Sequence, residues 1–456
     1  SQGAYSVYFP RNTGREAFQM YWTLLVANVF GTGLSYLSLK LGTALLGILT
    51  LPYIYLLGRE YGNERVGLFA LFLFGIAYWP NVISRIGLRF PLYPLFVAPT
   101  LYYLTRGLRT RNRNDFILSG IFLGLGLHGY SPFRIMPILV VIAFIIYILH
   151  NRSKKDNKQA LGWLAIIVMT SLFVFLPLLR YWISNPELFG YRAMSRLTSA
   201  ETALPGPAWE IFLSNLYRGL LMFNWDNGDI WVNSMPLRPA LDVVTGALFV
   251  IGVVLLIARY VRGRDWRDIL LLVSIPILLM PSILSLAFPG ENPALNRAGG
   301  GAVAAILVSA MALEGLVAGL GVEKKRLIIA YGLVGTLFVA SAFQNFDIVF
   351  NKFDTQFRAG AWNTSDMGRF ISGFEDKYGQ TESVWIVPFP YWVDTRLPGV
   401  WAGVPNRDFA LWPEQFADTL DVPAPKMIIF RYDDVETEKA LKVLYPDGVL
   451  SRYTSP

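Results

Sequence analysis

Two arginines four residues apart, Arg85 and Arg89 in Ser84-Arg85-Ile86-Gly87-Leu88-Arg89, stand between apolar runs at 66–77 and 92–104. A guanidinium near a bilayer is costly unless it meets water, protein or an anion. At this spacing on a helix the two would share a face. Two planar forks on one face suit a phosphate, which arginine grips bidentately. The competing reading is that each side chain only snorkels to the membrane interface.

Carboxylates that could move a proton are few. Glu16 follows Arg15, Glu187 lies in Asn185-Pro186-Glu187, and Asp226 and Asp229 lie in Phe223-Asn224-Trp225-Asp226-Asn227-Gly228-Asp229-Ile230-Trp231. That last segment mixes rings, amides and carboxylates, as a sugar-binding loop does: rings stack on sugar faces and polar groups take hydroxyls. Its tryptophans also fit an interfacial aromatic belt. Asp226 and Asp229 have the spacing of a metal-binding pair, but two acids in a loop are more often only solvated, so no metal site is assigned. His128, beside Gly129-Tyr130, reads as a packed or interfacial residue rather than a base. The chain has no cysteine, which excludes disulfides and thiolate metal sites.

The elements that must position these groups are membrane helices. The 456 residues are 54% hydrophobic and only 16% charged, with a mean hydropathy of +0.42, where a soluble domain has about 25% charged residues. Residues 18–30 are apolar but too short to span and read as interfacial. Spans are expected at 37–57, 66–84, 92–104, 116–127, 135–149, 161–183, 241–258, 269–287, 298–320 and 327–343, about ten transmembrane helices in all, the third and fourth short for a bilayer. The chain is thus expected to be an α-helical polytopic membrane protein.

Charge orients it. Arg106, Arg109, Arg111 and Arg113 form one cationic loop, Arg152, Lys154, Lys155 and Lys158 a second, Arg259, Arg262, Arg264 and Arg267 a third, and Lys324, Lys325 and Arg326 a fourth. Each is an even number of spans from the next, so all are expected on the cytoplasmic side. The net charge of +8 therefore does not indicate nucleic acid. The outer segments use arginine where lysine is absent: Arg85, Arg89, Arg134, Arg192, Arg196, Arg218, Arg238 and Arg297. Arginine is the fork matched to phosphate and carboxylate, although so few outer cations could also share a type by chance.

Several stretches resemble the bacterial protein-mannosyltransferase-like family: Gly14-Arg15-Glu16-Ala17-Phe18, Lys40-Leu41-Gly42-Thr43-Ala44-Leu45-Leu46-Gly47, Leu56-Leu57-Gly58-Arg59-Glu60, Ser84-Arg85-Ile86-Gly87-Leu88-Arg89 and Gly124-Leu125-Gly126-Leu127-His128-Gly129-Tyr130, then Arg134, Asn185-Pro186-Glu187, Arg238-Pro239-Ala240-Leu241-Asp242 and Asn296-Arg297. The likeness rests on order and spacing over residues 8–343. It implies a GT-C fold and an inverting, glycosyltransferase family 39-like enzyme. Such an enzyme takes a sugar from a polyprenyl-phosphate donor at the outer face of the plasma membrane and passes it to an external protein, glycan or lipid acceptor. On this resemblance Arg85, Arg89, Arg134 and Arg297 would hold the donor phosphate. Arg15, Tyr130, Glu187, Asp226, Trp231 and Arg238 would line the substrate site, and Glu16 would be a secondary catalytic acid. The family's principal acid lies in a first outer loop after a first transmembrane helix. Both are expected upstream of Ser1, and the sequence otherwise fits a catalytically silent subunit of a larger membrane assembly. A transporter is disfavoured, because the spans lack paired charges and show no inverted repeat.

Residues 344–456 are polar and aromatic-rich and read as a small external α/β domain after the transmembrane domain of residues 1–343. Strands are expected at 383–389 and 426–431 and helices at 366–378 and 435–444. Trp362, Trp392, Trp401 and Trp412 suit either its core or a glycan surface.

Overall fold

The computed structural model describes residues 5–10, 14–151, 153–321, 323–388 and 392–454. Ser1, Arg152 of the second cationic loop and Phe389 of an expected strand lie outside the described residues. The chain forms two compact units, one of Ser1–Thr23 and Lys40–Phe357, the other of Leu24–Leu39 and Arg358–Pro456.

A two-stranded antiparallel ribbon, β1 (Tyr8–Phe9) and β2 (Arg15–Glu16), opens the chain. The helices of the first half are α1 (Phe18–Phe30), α2 (Tyr36–Tyr61), α3 (Glu64–Ile76), α4 (Tyr78–Arg85), α5 (Leu92–Thr110), α6 (Arg113–Leu127) and, after a 3-10 turn at Ser131–Ile135, α7 (Met136–His150). There follow α8 (Lys154–Ser184), α9 (Pro186–Leu197), α10 (Ala208–Leu221), α11 (Val243–Gly263), α12 (Trp266–Ile283), α13 (Gly299–Leu320) and α14 (Lys324–Phe346). A π-helical turn at Asp347–Lys352 runs on into α15 (Phe353–Gly360). The helix continues past residue 344 to Gly360, and the C-terminal part of the second unit starts at Arg358.

Among the described residues, seven helical stretches are long and apolar enough to cross a membrane, or eight if the bent pair α3–α4 is one span. The expectation of about ten included α5 and α6, which fail that test. At 15 residues, α6 is only about 22 Å long. In α5 the polar end with Arg106 and Arg109 dilutes the apolar run, and most of the helix is buried, so protein rather than lipid coats it. Both nevertheless run the height of the bundle. α5 leaves the turn at Arg89 and ends where Arg109 Nη2 donates to Glu60 Oε2 at 2.8 Å. α6 returns from Asp115, paired with Arg106 at 3.4 Å, to His128 and Tyr130. At Gly120 and Gly124 of α6 an added Cβ would lie 2.8 Å from the carbonyls of Ile167 and Ser171 on α8, so small residues set that helix contact.

The Glu60 end also gathers α7 and α11 through His150 Nε2 and Tyr260 Oη at 3.1 Å, α11 and α12 through Arg259–Asp268 at 3.0 Å, and α3 and α13 through Arg65–Glu314 at 2.8 Å. The first and third cationic clusters thus share one end of the bundle.

The expected span at 66–84 is broken by a 52° bend. In a continuous helix the Pro80 ring would strike the Ile76 carbonyl and offer it no N–H, so α3 stops at Ile76. The Tyr78 N–H left over at the break is taken by Asn345 Oδ1 at 2.7 Å. Asn345 Nδ2 in turn donates to Asp242 Oδ2 at 2.9 Å, the carboxylate that caps α11.

The second unit holds α16 (Thr364–Tyr378), β3 (Val384–Ile386), α17 (Leu397–Trp401), β4 (Met427–Ile429) and α18 (Val435–Leu444). The two strands pair in parallel, shorter than the expected runs but at their centres. Met367, Ile371, Phe374, Val384, Ile386 and Phe409 make its core. Trp392 donates to the Val387 carbonyl at 2.7 Å, whereas Trp362 and Trp401 are exposed.

Candidate active site

At the bundle end opposite Glu60, the β1–β2 ribbon delivers Glu16. Tyr8 faces Glu16 across the ribbon, and Gly14 turns the chain at φ +87 with its Cβ position 1.9 Å from the Tyr8 oxygen. A side chain there would be both strained and in collision, so glycine is required. Arg89 comes from a second glycine turn: Gly87 has φ +75, its carbonyl accepts from Gln19 Nε2 at 2.8 Å, and the Arg89 carbonyl accepts from Leu92 N at 3.2 Å as α5 begins.

These turns bury an ion triplet. Arg89 Nη1 donates to Glu16 Oε2 at 2.5 Å and Arg134 Nη2 to Glu16 Oε1 at 2.8 Å, with Glu16 1% and Arg89 2% exposed. Arg89 lies 5.2 Å from the centre of the Tyr130 ring, and the Tyr130 hydroxyl accepts from Asn296 Nδ2 at 3.2 Å. Arg134 stacks on Phe189 at 3.8 Å and donates Nη1 to its carbonyl at 3.1 Å. Beyond Tyr130, Glu291 pairs with Arg196 at 2.8 Å and Arg297 at 3.0 Å.

The charge does not balance. Burial, and after it the field of Arg89, holds the Arg15 and Arg192 guanidiniums below their ordinary pKa; Arg192 adds to the lowering of Arg15, and Arg196 to that of Arg192. Burial likewise lowers Arg297. Among the described residues, the carboxylates Glu16 and Glu291 stand against Arg15, Arg89, Arg134, Arg196 and Arg297. Moreover, Nε and Nη2 of Arg89, Nε of Arg134 and Nε of Arg297 are buried without a hydrogen-bond partner. Buried donors of this kind cost about 1–3 kcal/mol each when left unpaired. An anion with several oxygens is the group that would satisfy them.

Burial would raise the Glu291 carboxyl, but Arg297 and Arg196 outweigh it and hold its pKa below the usual range. A depressed carboxyl stabilises the fold above its unfolded pKa and loses that contribution as pH falls through the folded value. Acid unfolding monitored below about pH 4.5 should therefore be shallower in Glu291→Gln, which has already lost this contribution at neutral pH. Parallel acid limbs in parent and variant would refute the coupling.

Of the residues singled out in the sequence, the fold brings together Arg15, Glu16, Arg89, Tyr130, Arg134 and Arg297. Arg85 is corrected. α4 ends at Arg85 and the left-handed Gly87 reverses the chain, so Arg85 and Arg89 share no helix face, and Arg85 lies 4.4 Å over the Phe350 ring. Glu187 is exposed in the first turn of α9. Asp226 is used locally, accepting from Gly228 N at 2.9 Å, and Asp229 is exposed. Trp231 packs on Phe357 at 5.8 Å between ring centres. Arg238 lies over Tyr78 at 4.8 Å. His128 Nε2 donates to the Val174 carbonyl at 3.0 Å, a hydrogen bond that fixes the ring. Among the described residues no three His, Asp or Glu side chains are placed to hold a metal ion. Glu291 was not visible as a site residue. Its only signal is a carboxylate in the proline-bounded Pro289-Gly290-Glu291-Asn292-Pro293, a few residues before Arg297.

Residues 17–182 match the family model for dolichyl-phosphate-mannose-protein mannosyltransferase. No curated protein matches the chain in sequence. In fold it is similar to ArnT from Cupriavidus metallidurans in the apo state, at TM-score 0.57 and 14% identity over 92% of this chain and 83% of that one. The same protein bound to undecaprenyl phosphate gives TM-score 0.55 and 13% identity over 96% and 85%. The Archaeoglobus fulgidus oligosaccharyltransferase tethered with an acceptor peptide gives TM-score 0.50 and 15% identity over 82% of this chain. The present chain spans 51% of that oligosaccharyltransferase's length.

Proposed function

Taking the chain as a GT-C protein of the protein-mannosyltransferase-like family, we propose that it binds a polyprenyl-phosphate-linked sugar at the arginine cluster and transfers the sugar, with inversion, to an acceptor hydroxyl or amide outside the plasma membrane. The observation that carries this reading is the set of unpartnered N–H groups on Arg89, Arg134 and Arg297. A lipid-linked phosphate would accept from them at the end of the bundle away from the cationic loops. In the transfer the bond from the anomeric carbon to the phosphate oxygen breaks as the acceptor bonds to that carbon. Guanidiniums fixed in a dry site stabilise the departing phosphate, and a base must take the acceptor proton. The relative crystallised with undecaprenyl phosphate supports a polyprenyl carrier here.

Both oxygens of Glu16 are engaged by Arg89 and Arg134, and Glu291 is held by Arg196 and Arg297. No carboxylate among the described residues of the cluster is left free to accept a proton. That observation favours, as the second reading, a donor-binding but catalytically silent subunit. In either case residues 344–456 would lie on the outer side, as the even number of expected crossings implies.

Thermal unfolding of the purified chain with short-chain polyprenyl phosphate, against the matching polyprenol, tests the site. At a hundred times its dissociation constant the phosphate should stabilise by about 2.7 kcal/mol, and the alcohol should not. Equal shifts from both would refute an anion site. With the phosphate bound, turnover of the glycosylated donor separates the enzyme from the silent subunit.

A further inference from the structure

α10 lies across the ends of two spans, on the side away from the Glu60 end. Asn215 Nδ2 donates to the Ile283 carbonyl at the close of α12 at 2.9 Å. The Met222 carbonyl, just past α10, accepts from Ala240 N just before α11 at 2.8 Å. With 14 residues the helix extends only about 21 Å, too short to cross a bilayer. Its sequence divides its surface into three stripes at helical spacing. Phe212 and Leu216 pack on the core, and Gly219 meets Ile283 of α12. Trp209, Leu213, Tyr217 and Leu220 form a second stripe, which is exposed. Glu210, Ser214 and Arg218 form the third, also exposed.

The third stripe and Asn215 line a cavity of about 350 Å³, walled on its far side by the Pro289–Gly290 turn. Among the described residues neither Glu210 nor Arg218 has an ion-pair partner. Two turns apart, about 12 Å along the axis, they do not pair with each other. Asn215 is 0% exposed. Its amide nitrogen is held by the carbonyls of Ile283 and Ser285, and its Oδ1 is buried without a partner. The cavity thus offers an unused carboxylate, an unused amide oxygen and an unused guanidinium. A primary ammonium brings three donors to the first two, and a phosphate suits the third. A quaternary ammonium is held by an aromatic cage, and among the described residues no ring lines this cavity. A purely anionic group would face Glu210 with like charge.

The second stripe says where such a zwitterion comes from. Trp209 and Tyr217 are of the types that gather at the membrane interface, with Leu213 and Leu220 between them. The next span, α11, exposes Val243, Val250 and Val254 in one line, so lipid reaches the C-terminal end of α10. An interfacial helix sinks its apolar stripe among the acyl chains and keeps its polar stripe at the level of the headgroups. Here that polar stripe is the one that borders the cavity.

We propose that α10 and the Pro289–Gly290 turn form a binding site for a membrane phospholipid with a phosphoethanolamine headgroup, Glu210 and Asn215 taking its ammonium and Arg218 its phosphate. The site is independent of the donor reading above. Native mass spectrometry of the purified full chain tests it, with phospholipids of one acyl composition that carry phosphoethanolamine, phosphocholine or phosphoglycerol, and with water-soluble glycerophosphoethanolamine. The parent should bind the ethanolamine lipid at least about tenfold more tightly than the choline lipid. Glu210→Gln should remove that preference while binding the choline lipid as the parent does. Arg218→Ala should weaken both. Glu210→Lys should turn the preference towards the phosphoglycerol lipid, a reversal that loss of packing would not produce. Both side chains are exposed, so the variants should unfold at the parent's temperature. If the parent binds ethanolamine and choline lipids alike, the headgroup site is wrong. A parent preference for phosphoglycerol overturns the zwitterion, and glycerophosphoethanolamine binding as tightly as the lipid overturns the membrane source.

Discussion

Replacing Glu16 by glutamine should lower the stability of the ligand-free protein by about 3–5 kcal/mol, the usual cost of leaving a buried partner charge uncompensated. Glu16 is 1% exposed and holds Arg89 and Arg134 on its two oxygens. An amide cannot balance two guanidiniums and turns a donor towards one of them. The same change should make polyprenyl phosphate a better stabiliser than it is in the parent, because the anion then supplies the missing charge. A general base would behave otherwise: turnover would vanish with stability and phosphate rescue unchanged. Unfolding of parent and Glu16→Gln, each with and without the phosphate, decides between the two. A variant as stable as the parent, or one rescued no more than the parent, would show that Glu16 is not the brace of the cluster.

Arg89→Ala should weaken polyprenyl-phosphate binding by roughly 10- to 150-fold, the value of a charge-assisted hydrogen bond of about 1.5–3 kcal/mol. Arg89→Lys should recover only part of this, since an ammonium keeps the charge but loses the planar fork. Arg85→Ala should bind the phosphate as the parent does, because Arg85 ends α4 over Phe350 and not in the cluster. Direct binding to protein shown to be folded by its unfolding transition is the measurement. If Arg85→Ala and Arg89→Ala fall together, the two arginines act as one clamp and the placement of Arg85 is at fault. If well-folded Arg89→Ala binds like the parent, the cluster is not the phosphate site.

What the sequence determined by itself follows from solvation. Long apolar runs can only be helices in lipid, because every backbone polar group must find its partner within the segment. The helices at 36–61, 243–263 and 299–320 were therefore legible, as was the short α1, whose bounds Phe18–Phe30 coincide with the apolar run. The cationic loops were legible for the same reason, and the fold gathers Arg109, Arg259 and Arg267 at one end through Glu60, Asp268 and Asp265. Arginine on the opposite loops was visible as a composition, but which arginines meet was not. Local spacing joined Arg85 to Arg89, and tertiary structure separated them. Pro80 forces a break after Ile76, and the left-handed Gly87 then aims Arg89 at a ribbon more than seventy residues earlier in the chain, a separation of 73 to Glu16. Glu291 paired with Arg196, and Asn296 with Tyr130, through contacts that no periodicity encodes. Hydropathy reports how each segment meets solvent. Only the packing of the helices decides which buried charges find one another, and which are left waiting for an anion.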